Sequence, residues 1–201
     1  MVTKYNFPRP PMSLIVEGLP PTGGKLFIGD AEAAADRKLL DENDIAIVVN
    51  CAVNLDIDYT QAAGAIEEGG KGPIRNYKLG LIDDAGNPDT MLIGAYFLLD
   101  GALHQRLPDR FTYPHRRTGN LLLHCRGGRS RSVIVAALLM HVHMHDRFPT
   151  LDAAIDHIRQ TRALHPDEWH ETPKPMLIEA ARYAADWILR IEAEKRARPA
   201  A

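Results

Sequence analysis

The chain reads as an α/β protein, a single domain in three layers: a small mixed sheet of about five strands, flanked by helices on both faces. Three observations predict this. Short apolar runs suited to buried strands alternate with segments of helical spacing. No internal repeat or low-complexity tract interrupts them. The 201 residues, 45% of them hydrophobic, suit one core.

Residues 1–23, with Pro8, Pro10, Pro11, Pro20 and Pro21, read as an extended, proline-rich lead-in that packs on the surface or stays loose. The domain proper is expected over residues 24–197. Within it, residues 24–30 predict a strand, 31–40 a helix, and 44–52, with its run Ile45-Ala46-Ile47-Val48-Val49, a core strand. Gly69-Gly70-Lys71-Gly72-Pro73 marks a connection between two strands, and residues 77–84 run from a strand into a turn-rich stretch. Residues 121–123 suit a buried strand, 132–140 an apolar helix and 153–162 another helix. Glu171-Thr172-Pro173-Lys174-Pro175 separates two helices, and residues 176–197 have the spacing of a long amphipathic closing helix.

The segment between strand 121–123 and helix 132–140 is His124-Cys125-Arg126-Gly127-Gly128-Arg129-Ser130-Arg131. A strand-to-helix turn presents free N–H groups and the positive end of a helix dipole, which favour an anion. Gly127 and Gly128 let the backbone converge on a phosphate, with Arg126, Arg129 and Ser130 completing the loop. Cys125 lies at the base of that cradle, where a helix N-terminus and neighbouring cations lower a thiol's pKa and make it a nucleophile. Arg131 offers a planar fork matched to two phosphoryl oxygens. The Ser132 hydroxyl can bond the thiolate, and His124 can brace the loop.

This stretch resembles the His-Cys-x-x-Gly-x-x-Arg-Ser/Thr signature of the cysteine-dependent protein tyrosine phosphatase superfamily, in the form of its dual-specificity branch. The resemblance extends over most of residues 24–190. Residues 24–52 are similar to the opening strand, helix and strand of dual-specificity domains. Residues 77–84 resemble the strand entering their acid loop, and residues 153–162 with Pro166 resemble the helix that follows the signature helix. The resemblance implies a phosphate monoester hydrolase with a cysteinyl-phosphate intermediate and no metal or other cofactor. Cys125 is then the nucleophile, Arg131 and the amides of residues 126–131 hold the equatorial oxygens, and Ser132 eases departure of the thiolate.

The leaving oxygen needs a proton, which a nearby carboxylic acid supplies. Gapless alignment to the family's strand puts Asp84 at the general-acid position, with Asp83 as the alternate. Cys51, at the C-terminal end of a core strand, should lie on the same sheet edge as Cys125. It resembles a cysteine that in some relatives traps the oxidised nucleophile, so it is a candidate redox partner, although a small buried residue that merely packs would look the same.

The substrate expected first is phosphotyrosine in a protein, with phosphoserine or phosphothreonine also accommodated. Arg126 and Arg129 keep an anionic phospholipid or inositol phosphate as the alternative, because basic residues at both matching positions occur in the lipid-directed relatives. A phosphate-reading module without turnover is the third reading. A net charge of −2 gives no general attraction to nucleic acid or membrane. No apolar run approaches a membrane span, and two cysteines do not make a disulfide framework. A cytoplasmic monomer is the expectation. His141, His143 and His145 suit a helix C-terminus better than a metal site, and Trp169 and His170 either line the pocket mouth or pack beneath their loop.

Overall fold

The computed structural model describes residues 7–57, 74–106, 108 and 119–197. Five strands form one sheet: β1 (Met12–Leu19), β2 (Gly24–Gly29), β3 (Ile45–Ala52), β4 (Arg75–Leu81) and β5 (Asn120–His124), in the spatial order β1-β2-β5-β3-β4. Only β1 runs antiparallel to its neighbour; β2, β5, β3 and β4 are mutually parallel. The expected small mixed sheet is therefore present, with β5 at its centre.

Because side chains alternate across a strand, β2, β3 and β5 each feed two cores. Leu26, Ile28, Ile47, Val49, Leu121 and Leu123 enter the larger one. It is covered by α3 (Met91–His104), α4 (Arg131–His143), α5 (Leu151–Thr161) and α6 (Pro175–Ala197). Phe27, Val48 and Leu122 point the other way, against Ala34 and Leu40, which lie on α1 (Ala31–Ala35) and α2 (Arg37–Glu42). Helix α4 is buried from Arg131 to His141. Burying each of its Leu, Ile and Val side chains is worth about 1.5–3 kcal/mol, so the helix that follows β5 is the central pillar of the fold.

Three elements differ from expectation. Met12–Leu19 is no lead-in but the edge strand of the sheet: prolines at 8, 10, 11, 20 and 21 lie outside it, where no ladder N–H is needed. The helix expected over 31–40 is two, because Asp36 leaves the helical region and caps the second by accepting from the Leu39 N–H. Helix α3 was not anticipated. The glycine-rich connection at 69–73 lies outside the described residues.

Candidate active site

β5 ends at His124 and α4 begins at Arg131, so Cys125 sits where the central strand gives way to the loop. Gly128 has φ +60°, and a Cβ there would lie 2.6 Å from the Gly29 carbonyl oxygen and 2.9 Å from Arg162 Nη2. Only glycine fits this close approach. Cys125 is 2% exposed, and its Sγ lies 3.3 Å from Ser132 Oγ. Burial alone would raise the thiol's pKa, but the hydroxyl and N–H of Ser132, the Arg131 charge and the Arg129 N–H together hold it below the ordinary value.

Arg131 is 4% exposed. Its Nη1 donates to Asn54 Oδ1 at 2.9 Å and to the Leu81 carbonyl at 3.4 Å. Its Nε has no hydrogen-bond partner among the described residues and faces Asp83 Oδ1, likewise unpartnered, at 3.9 Å. Asn54 carries no signal in the sequence; it reaches Arg131 only because β3 lies beside β5.

The two candidate aspartates after β4 part company. Asp83 turns to Arg131. The Asp84 carboxylate is 65% exposed, accepts from the Ala85 N–H and pairs with Lys174 Nζ at 3.2 Å. The Ala85 N–H and then Lys174 hold Asp84 below the usual carboxylate range. An irregularity in β4 precedes these two residues. Asn50 and Ala52 of β3 oppose Lys78 and Leu81, so β4 carries one extra residue there, and Gly80 takes φ +74°. A bulge of this kind bends the strand and re-aims the chain that follows it.

The remaining expected residues divide. Arg126 is exposed, while its carbonyl accepts from the Ala31 N–H at 3.2 Å. Arg129 is drawn aside, its Nη1 3.0 Å from Glu168 Oε1. Ser130 Oγ accepts from the Lys174 N–H at 3.4 Å. His124 is fully buried, yet neither ring nitrogen has a well-formed hydrogen bond among the described residues. Burial draws its pKa down to about 4, against weaker opposing pulls from the Cys125 backbone and Asp30. The expected brace comes instead from Arg162, whose Nε donates to the Gly128 carbonyl at 3.2 Å.

Cys51 follows Asn50, which pairs in register with His124, so Cys51 on β3 and Cys125 just past the end of β5 lie in one core. Burial pushes the Cys51 thiol well up, and the Cys125 charge adds to the effect. Both cysteines are free thiols. Among the histidines, His141 Nδ1 donates to the Phe148 carbonyl at 2.9 Å, and His143 lies 3.3 Å from Asp100. Among the described residues no group of three or more His, Cys, Asp or Glu could hold a metal. Trp169 packs beneath its loop, its Nε1 donating to the Leu164 carbonyl and its ring under Arg159.

No family model matches the sequence, and no curated relative does. Solved structures do match. A mouse putative dual-specificity phosphatase, complexed with zinc tungstate, superposes with a TM-score of 0.62 at 20% identity, covering 96% of this chain and 97% of that one. Human DUSP28 gives 0.60 at 20% identity over 91% and 97% of the two chains. PTPMT1 gives 0.51 at 19% identity over 84% and 94%. The chain has the fold of the dual-specificity branch of the cysteine-dependent phosphatases.

Proposed function

We propose that this protein is a phosphoric monoester hydrolase that works through a cysteinyl-phosphate and acts on phosphotyrosine in proteins. The observation that carries this reading is the arrangement at Cys125: a thiol with a depressed pKa, 3.3 Å from the Ser132 hydroxyl, at the N-terminus of the helix that begins with the buried Arg131. In the first step Cys125 Sγ attacks phosphorus, the phosphorus–oxygen bond to the alcohol or phenol breaks, and that oxygen takes a proton from a carboxylic acid. In the second, water gives its proton to the same carboxylate and displaces the thiolate, which the Ser132 hydroxyl stabilises, releasing inorganic phosphate. Arg131 and the loop amides hold the phosphoryl oxygens throughout. The contact between Asp83 and Arg131 supports Asp83 as the acid, and the pairing of Asp84 with Lys174 supports a role for Asp84 in fixing the acid loop to the start of α6.

Two features favour a peptide over an anionic lipid. Glu168 neutralises Arg129, leaving Arg126 as the loop's only extra exposed cation. Beside the loop that follows β4, a groove of about 460 Å³ is lined by Met176, Leu177 and Tyr183 together with Asp89, Glu179 and the Lys174-paired Asp84. Carboxylates there suit the neighbours of a phosphotyrosine better than a negative membrane surface. Hydrolysis of p-nitrophenyl phosphate, phosphotyrosine and phosphothreonine peptides, phosphoinositides and phosphatidylglycerophosphate, all in chelator, tests the reading. Turnover should be abolished by Cys125→Ser, and kcat/KM should be highest on the phosphotyrosine peptides. A strict metal requirement, or full activity of Cys125→Ser, contradicts the mechanism; preference for a lipid contradicts the substrate.

A further inference from the structure

A loop built around two adjacent glycines does not hold its own shape, so something outside it must keep its N–H groups converged. The three tethers here come from distant parts of the chain. The Arg126 carbonyl accepts from the Ala31 N–H. The Gly128 carbonyl accepts from Arg162, whose guanidinium, buried completely, also donates to the carbonyls of Pro10 and Pro11 and to Ser13 Oγ. The Arg129 side chain is gripped by Glu168, a carboxylate only 3% exposed, whose second oxygen lies 3.0 Å from Arg9 Nη1. Arg129 is the decisive link, because it lies in the loop between Cys125 and Arg131 and its backbone amide is among the influences that hold the Cys125 thiol's pKa down. A single residue therefore connects the buried carboxylate to the nucleophile.

Resting on the phosphatase reading above, we propose that Glu168 is a positioning residue for the catalytic loop, and that Arg9, in the segment preceding β1, is its partner, so that the N-terminal segment is part of the active-site framework. A charged pair of this kind, with both oxygens of a buried carboxylate engaged, fixes the loop at Arg129 more stiffly than a neutral contact would. Losing the Glu168 charge should let the loop relax and weaken the stabilising pull of the Arg129 amide on the thiolate. The expected signature is chemical as well as structural.

The test is the pH dependence of Cys125 alkylation by iodoacetamide, followed by mass spectrometry on the peptide that carries Cys125 so that Cys51 does not contribute. In Glu168→Gln the alkylation midpoint should rise by about one pH unit, the size of one weakened charge-assisted hydrogen bond. On p-nitrophenyl phosphate kcat should fall about tenfold with KM little changed, the pattern of a lost transition-state contact. Glu168→Asp should recover part of both. Arg9→Met should shift both in the same direction by less, and it serves if Glu168→Gln does not fold. A folded Glu168→Gln or Arg9→Met with a lowered melting temperature but a wild-type midpoint and kcat would overturn the proposal and leave a merely structural ion pair. Alkylation reads the thiol without turnover, so a shifted midpoint in a protein that hydrolyses none of the phosphate esters would sustain the positioning role and sink the phosphatase reading.

Discussion

At the scale of single residues, the site depends on opposite treatment of two neighbours on one strand end. Cys125 is buried yet its thiol is held low, because donors and a guanidinium surround it; His124 is buried without such partners and its pKa falls to about 4. The sign for His124 follows from proton binding. The unfolded chain takes up a proton near pH 6.5 and the folded chain does not until about pH 4, so stability is complete above the first value and falls as pH drops through that window. The full loss amounts to roughly 3 kcal/mol. Urea midpoints measured between pH 7 and pH 4 should show it, and His124→Gln should flatten the slope; an unchanged slope in that variant removes His124 as the cause. Asp83 and Asp84 are separable by leaving group. Asp83→Asn should slow aryl phosphates with poor leaving groups by about 10²–10³-fold and good ones far less, with Asp84→Asn milder on both. The reverse pattern would restore Asp84. The motif residues from Cys125 to Ser132 were legible because their chemistry and spacing are local. The choice between Asp83 and Asp84 was not, because the two carboxylates stand side by side in one turn-rich stretch and only the fold shows that one faces Arg131 and the other Lys174.

At the scale of elements, β3 and β5 bring the only two cysteines of the sequence together. That adjacency could be anticipated from strand order, since parallel strands present their C-terminal ends on one edge. We propose that a peroxide-generated sulfenic acid on Cys125 is attacked by the Cys51 thiol, which loses its proton as a disulfide forms and water leaves. Mild peroxide should then inactivate the enzyme, dithiothreitol should restore it, and Cys51→Ser should make the loss largely irreversible. No linked Cys51–Cys125 peptide, together with unchanged recovery in Cys51→Ser, would show that Cys51 only fills the core. β1 and α3 were the elements the sequence concealed. β1 is short of ordinary strand signals because prolines crowd both its ends, and its register with β2 shifts twice. α3 is apolar on nearly all sides and holds Gly94 and Gly101, so its pattern lacks the polar face that marks a surface helix.

At the scale of the whole molecule, a chain with a net charge of −2 concentrates its cations where an anion would sit, with Arg126, Arg129, Arg131 and Arg162 around one loop. Glu168 and the backbone carbonyls bind Arg129 and Arg162 inward, which leaves the exposed Arg126 and the buried Arg131. The three-layer class was readable because alternating strands and helices admit few arrangements. Glu168 and Arg9 were not readable, because 159 positions separate two residues that meet only after the sheet has formed. The most direct test of the central claim is to trap the intermediate. Asp83→Asn mixed with p-nitrophenyl phosphate needs no acid to release the phenol but lacks the base that activates water, so the phosphoenzyme should accumulate. After a rapid denaturing quench, mass spectrometry should find one phosphoryl group on the peptide bearing Cys125. A phosphoryl group on any other residue, or turnover by Asp83→Asn at the wild-type rate with none on Cys125, would contradict the account.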